Sequence, residues 1–319
     1  KPLDSGREGQ ISWLTMVTTQ SEIIIAQAVL HNCFIDDEAV EVLMQDDIAP
    51  GRITQYCEAE IEQNQKFVVE KRLCLYTSKE DDAVDPLQST LNDLIPISSF
   101  EEIKKVSERK WKELWDQIDI RIEGNTNSQM LIRLHLYHLM VTASPHNVSI
   151  DAGVPARGLH GEAYRGHVFW DELYILPIYN LFLPDIGKSI LRYRFRRLNE
   201  ARKNAYEHQY EGSMFPWQSG SSGREETQVI HLNPLSGEWG DDYSSLQRHI
   251  SIAIAYNVWY YFQVTDDLDF MKEEGAELFL DICRFWASKC HENVETGRFE
   301  IKKVMGPDEF HEEHPNSPG

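Results

Sequence analysis

Cysteine is sparse in this chain. Cys33, Cys57, Cys74, Cys283 and Cys290 are odd in number and scattered, and no Cys-x-x-Cys pair occurs. Neither a disulfide framework nor a zinc cage fits that pattern. Long apolar runs are missing as well: nothing approaches the roughly eighteen uncharged apolar residues that a membrane-spanning helix needs. Positive charge is in deficit, with 31 Lys+Arg against 52 Asp+Glu and a formal net charge of −21. Such acidity repels the phosphates of nucleic acid and of anionic membrane surfaces, so neither is expected as a partner. No His-Glu-x-x-His, Gly-x-Ser-x-Gly or P-loop segment is present, and His160, His167 and His311 are not spaced as metal ligands. Neither a metal nor a cofactor is expected. The chain opens at Lys1 without a Met or a charged-then-apolar leader, so a signal peptide is expected to be absent or already removed. The scattered cysteines lean towards a cytoplasmic location, with a periplasmic or secreted one open if a leader preceded Lys1.

What remains is ample for a core. The 319 residues, 41% of them apolar, suit one large domain or two ordinary ones. Residues 1–80 read as strands. Ile11–Thr19 and Phe67–Thr77 are rich in β-branched and aromatic residues, with turns at Asp36-Asp37 and Ala49-Pro50-Gly51. Residues 78–98 carry acids, two prolines and small polar residues, and read as a linker. A helix is expected near 99–116, started by Ser98 or Ser99 with Glu101 and Glu102 behind it. Beyond residue 126 the apolar spacing is helical. Asn127–Thr142 sets Leu131, Leu134, His135 and His138 on one side. Leu246–Phe262 is apolar nearly all round, which predicts burial on most faces, and Gly275–Trp286 carries one apolar stripe. Long loops at 143–168, 212–243 and 294–319 join these helices, and loops of that length are usually functional.

Three loop segments mix aromatic rings, carboxylates, and Gly or Pro. The first, Gly153–Glu172, carries Arg165, His167, Trp170 and Asp171. The second runs from Met214-Phe215-Pro216-Trp217-Gln218 to Gly223-Arg224-Glu225-Glu226, and the third is Met305-Gly306-Pro307-Asp308-Glu309-Phe310-His311-Glu312. Sugar recognition calls for this mixture: an aromatic face covers the C–H side of a pyranose while carboxylates, His or Arg bond its hydroxyls. Glycosidic cleavage adds a carboxylic acid that protonates the leaving oxygen. Each loop also has a plainer interpretation. Phe169 and Trp170 fit a core, Asp171 fits a helix cap, and Asp308–Glu313 fits a solvated acidic turn. On the residues alone, a sugar-cleaving enzyme and a binding scaffold both stay open.

Together the segments Gly158-Leu159-His160-Gly161-Glu162, Gly166-His167-Val168-Phe169-Trp170-Asp171-Glu172, Phe215-Pro216-Trp217 and Gly306-Pro307-Asp308-Glu309-Phe310-His311-Glu312 resemble glycoside hydrolase family 65. That family holds maltose, trehalose and kojibiose phosphorylases and acid-trehalase-like hydrolases. The resemblance runs from about Phe67, arguably from residue 1, to the end. It implies that Trp170 and Asp171 hold glucose on the non-reducing side. It implies that Glu309, in a block similar to the family's Gly-Pro-Asp-Glu-Tyr/Phe-His, is the general acid. It places Arg165, His167, Phe215, Trp217 and Glu226 around the same pocket, with the choice between Glu225 and Glu226 open.

The fold implied is mainly α: residues 1–80 as the end of a β-sandwich, 81–125 as a linker with a helix, and 126–319 as the first part of an (α/α)6 toroid. Three motifs depart from the family's phosphorylases. Those usually show Trp-Asp-Thr-Glu, Gly-Leu-Thr-Gly and Tyr-Gly-Gly-His, where this chain has Trp170-Asp171-Glu172-Leu173, Gly158-Leu159-His160-Gly161 and Tyr164-Arg165-Gly166-His167. The variants look more like the hydrolase branch. The expected function is therefore inverting hydrolysis of an α-glucosidic disaccharide of kojibiose, trehalose or maltose type, with water as acceptor. Phosphorolysis with inorganic phosphate, releasing β-glucose 1-phosphate, comes second, and a non-catalytic carbohydrate-binding toroid third. In the family further catalytic residues follow downstream, so the chain is expected to be an internal fragment, inactive alone. The general base or phosphate site would then lie outside it. A homodimer is left open.

Overall fold

The computed structural model describes residues 1–80, 85–97, 99–159, 161, 163–307 and 317–318. Contacts divide the chain into two units, Lys1–Gln117 and Ile118–Gly319.

The first unit is built on a five-stranded antiparallel sheet. β1 (Pro2–Glu8), β2 (Ile11–Val17), β3 (Ile24–Ile35) and β4 (Glu38–Val40) follow one another in space. β5 (Met44–Ala49) and β6 (Arg52–Cys57) form a separate hairpin, and β7 (Phe67–Thr77) returns to pair with β3 along its whole length. The β3–β4 turn is made by Asp36 and Asp37, both left-handed (φ 50° and 67°), as a tight hairpin of the twisted kind requires. Within the segment expected to be a linker lies helix α1 (Pro86–Leu94). Asp85 accepts from the N–H groups of Leu87 and Gln88, and Pro86 occupies the first turn, where its missing N–H does no harm. Its Thr90 and Leu94 are fully buried, as are Ala26 and Ala28 of β3, whose small side chains allow the helix to lie close. Helix α2 (Phe100–Ile118) follows, highly charged along its length.

The second unit is helical. α3 (Thr126–Thr142), α4 (Glu172–Phe182), α5 (Pro184–Arg196), α6 (Leu198–Glu207), α7 (His249–Thr265), a short α8 (Leu268–Phe270) and α9 (Ala276–Lys289) follow in order. α4 packs on α5 and α7, and α7 packs on α5 and α9. Leu176, Ile190, Ile254, Val258, Leu278 and Ile282 fill the contacts, each buried to within 2% of complete exclusion from solvent. Each such side chain contributes roughly 1.5–3 kcal/mol of burial. α3 turns Leu136 and Met140 inward, four residues apart, and leaves Leu131, Leu134 and His135 exposed. α7 is buried on most of its faces and leaves Ile252, Tyr256 and Trp259 as one exposed stripe. The expected loop 212–243 contains a hairpin, β8 (Ile230–Leu232) with β9 (Trp239–Asp241). β10 (Cys290–Asn293), β11 (Arg298–Ile301) and β12 (Ser317–Pro318) form a small antiparallel sheet after α9. No described helix is long and apolar enough to cross a membrane.

Candidate active site

A buried charge fixes the segment leading into α4. Glu172 and Arg194 of α5 are each 1% exposed, with Arg194 Nε donating to Glu172 Oε2 at 3.0 Å. The same guanidinium donates from Nη2 to the Phe169 carbonyl (2.6 Å) and from Nη1 to Ser219 Oγ (3.4 Å). Val168 and Ser219 exchange backbone hydrogen bonds of 2.9 and 3.1 Å. Two loops, 166–171 and 212–219, are thereby laid side by side. The second loop starts at Gly212, where φ is 68° and a Cβ would stand 2.2 Å from the Asp281 carbonyl, so no other residue passes. Phe215 N donates to Ser251 Oγ on α7 (3.0 Å), and Glu225 accepts from the N–H groups of Trp217 (2.9 Å) and Gln218 (3.1 Å).

Between these loops opens a cavity of about 710 Å³. Arg165, Trp170 and Asp171 line one side, and Trp217 and Gln218 line another. Gln228, His231, Asp242 and Tyr243, on and beside the β8–β9 hairpin, form a polar wall, and Met305 and Pro307 also line the cavity. Phe169 braces Trp217 edge-on at 5.2 Å, and Tyr174 braces Trp170 at 5.4 Å. Asp171 stands at the head of α4 yet makes no capping bond. Burial pushes its carboxyl above the usual carboxylate range. Burial would do the same to Asp242, but hydrogen bonds from Ser244 and Gln228 outweigh it and hold that carboxyl below its usual range. Among the described lining residues, the Asp242 carboxylate is thus committed to the wall, while that of Asp171 takes a hydrogen bond from its own backbone.

Four of the residues singled out from sequence, Arg165, Trp170, Asp171 and Trp217, share this cavity. Three others stand behind its lining. Phe215 is buried in the helical core. His167 bonds the Tyr164 carbonyl through Nδ1 (3.0 Å) and Glu226 through Nε2 (2.7 Å). Of the adjacent acids, Glu225 holds the Trp217 loop and Glu226 holds His167. Glu309 lies outside the described residues, as do His160, Glu162, Asp308, Phe310, His311 and Glu312. The polar wall of Gln228, His231, Asp242 and Tyr243 was missed, for no motif marks it within a long loop. Among the described residues no group of three His, Cys, Asp or Glu side chains could hold a metal ion.

Comparison with known proteins gives this geometry its context. Residues 2–114 match the model of the glycosyl hydrolase family 65 N-terminal domain, and residues 133–317 match that of the family's central catalytic domain. An uncharacterised glycosyl hydrolase of Mycobacterium tuberculosis is 40% identical over 300 residues, covering 94% of this chain and 23% of that protein. Trehalose 6-phosphate phosphorylase of Lactococcus lactis is 36% identical over 308 residues, covering 95% of this chain and 38% of the relative. Kojibiose hydrolase of Flavobacterium johnsoniae is 39% identical over 210 residues, or 66% of this chain and 29% of the relative. A solved structure from the human microbiome, provisionally assigned as a kojibiose phosphorylase, shares the fold with a TM-score of 0.80 at 23% identity. It matches 98% of this chain and 39% of that one. The chain thus spans less than half the length of these relatives. On the two domain matches and these identities, the chain belongs to glycosyl hydrolase family 65.

Proposed function

We propose that the intact protein binds an α-glucosidic disaccharide in this cavity and cleaves it with inversion, with water as acceptor and Glu309 as general acid. One observation carries the proposal: two braced indoles and the carboxyl of Asp171 converge on a single cavity whose lining includes Pro307, two residues before Glu309. Trp170 and Trp217 would cover the apolar side of a pyranose, and Asp171 would accept two of its hydroxyls. Arg165 contacts the sugar from the rim. His167, Phe215 and Glu226 act through the loops they hold. Inversion needs one protonated carboxyl at the glycosidic oxygen while the acceptor attacks the opposite face. We further propose that residues 1–80 are the end of a β-sandwich, 81–125 a linker with a helix, and 126–319 the first part of an (α/α)6 toroid.

A second reading, phosphorolysis, is favoured by relatives named for it, on trehalose 6-phosphate and on kojibiose. Hydrolysis has its own relative in the kojibiose hydrolase, and Glu172, where phosphorylases usually show Thr, is consumed in the Arg194 ion pair. Incubating the full-length protein with kojibiose, nigerose, maltose and trehalose, with and without phosphate, separates the two. Free glucose without phosphate supports hydrolysis; phosphate-dependent release of β-glucose 1-phosphate establishes the second reading instead. Turnover of none of these sugars would refute both.

A further inference from the structure

His249 opens α7 with its imidazole set against both cavity indoles. Its ring centre lies 4.5 Å from that of Trp170, at 77°, and 5.1 Å from that of Trp217, at 59°. Among the described residues, neither Nδ1 nor Nε2 has a hydrogen-bond partner, and neither meets solvent. Burial pushes the imidazole down to about 4, so the ring is neutral at ordinary pH. A neutral ring with both nitrogens shut away contributes shape, not hydrogen bonding. Around it, three segments are pinned together: Phe215 N donates to Ser251 Oγ, Met305 N donates to the Leu246 carbonyl (3.1 Å), and Arg248 N donates to the same carbonyl (2.9 Å). The backbone of His249 is therefore held firmly while its ring touches the two side chains that flank the cavity.

We propose that His249 is a positioning residue: its ring is a wedge that sets the angle between Trp170 and Trp217, and hence the fit of the cavity to a sugar, without touching the sugar itself. The inference rests on the reading of the cavity as a glucoside site. Edge-to-face ring contacts are directional, so removing the wedge frees both indoles to turn. An indole that must be re-ordered on binding weakens affinity, because the ligand then bears the ordering cost. Since the nitrogens bond to nothing among the described residues, a phenyl ring should serve as well as imidazole.

The test uses the intact protein and three variants, His249→Phe, His249→Ala and His249→Leu, each checked by circular dichroism and thermal melting. Two readouts are taken: calorimetric binding of kojibiose, maltose and trehalose together with KM and kcat, and the indole N–H resonances of Trp170 and Trp217 without ligand. The expected result is that His249→Phe keeps the wild-type affinity and indole resonances. His249→Ala should shift both resonances and weaken binding by roughly tenfold or more, seen mainly in KM. If His249→Ala does not fold, His249→Leu, which fills the volume without a ring, is expected to show the same changes. Wild-type affinity and resonances in the Ala or Leu variant would overturn the proposal. So would a folded His249→Phe that loses affinity, since the ring nitrogens would then meet the sugar. Should the wild type bind no disaccharide, the glucoside reading falls, while the indole resonances still decide the wedge.

Discussion

Arg194 and Glu172 form an ion pair that solvent scarcely reaches, 3.0 Å from Nε to Oε2, and through the same guanidinium the pair grips the Phe169 carbonyl. Burial drives the Glu172 carboxyl upward, and the arginine opposes that shift. One cation therefore ties the head of α4, the segment before Trp170 and Asp171, and Ser219 of the Trp217 loop.

Removing the arginine leaves a buried carboxylate without its partner. Arg194→Met is expected to lower stability by roughly 3–5 kcal/mol, measured by denaturant unfolding. The double variant Glu172→Met/Arg194→Met removes both charges and should recover a good part of that loss. A double variant as unstable as the single one would show that the Phe169 and Ser219 contacts, not the ion pair, carry the stability.

Asp171 has the opposite standing. Its carboxyl caps nothing, and burial disfavours its charge. Asp171→Asn should leave the thermal midpoint unchanged or slightly raised at neutral pH. Loss of charge-assisted bonds worth about 1.5–3 kcal/mol each should cut disaccharide affinity by ~10- to 100-fold. An unfolded Asp171→Asn protein, with affinity unchanged in the part that refolds, would return Asp171 to a structural role.

Arg165 sits in a left-handed turn with Tyr164 before it and Gly166 after it, at φ 54°, 53° and 68° in that order of mention. Left-handed backbone in a residue with a Cβ costs about 1 kcal/mol or more. Arg165→Gly is therefore expected to raise the melting temperature while weakening sugar binding. A residue kept for stability alone would show the reverse, and unchanged binding would remove Arg165 from the site.

His249 also gives a pH signature. Its pKa is lowered to about 4 from 6.5, so between those values the unfolded chain binds more protons than the folded one. Stability should rise with pH across that window, with a contribution of up to about 1.4 kcal/mol per pH unit. His249→Phe should flatten the slope. An unchanged slope would assign it to other groups.

Much of this fold is legible in the sequence, unevenly. β7 is readable from end to end, because Phe67–Thr77 concentrates β-branched and aromatic residues and no turn former interrupts it. α1 is hidden because its start signal, Asp85-Pro86, looks like chain punctuation when its neighbours are acids and prolines. The β8–β9 hairpin is hidden for another reason. Its strands are three residues long, and pairing depends on a turn in which Asn233 N donates to the Glu238 carbonyl (2.9 Å) and Gly237 N to the Asn233 carbonyl (2.8 Å). At the site, Trp170, Asp171 and Trp217 could be picked out by resemblance. The facing of their neighbours could not: Phe215 and Trp217 are two residues apart, yet one enters the core and the other lines the cavity. His249 carries no motif, and its position between two indoles exists only once α7 and both loops are packed.

In the proposed glycosidic cleavage, Glu309 delivers the proton. A free Glu titrates near 4.3, so a general acid at neutral pH needs surroundings that raise it. Glu309→Gln keeps the shape and removes the proton. The decisive measurement is the turnover of the full-length Glu309→Gln enzyme on the disaccharide that the wild type cleaves, with binding measured alongside. The expected result is a loss of at least ~10²–10⁴-fold in kcat with binding retained. Near-normal turnover in that variant would contradict it.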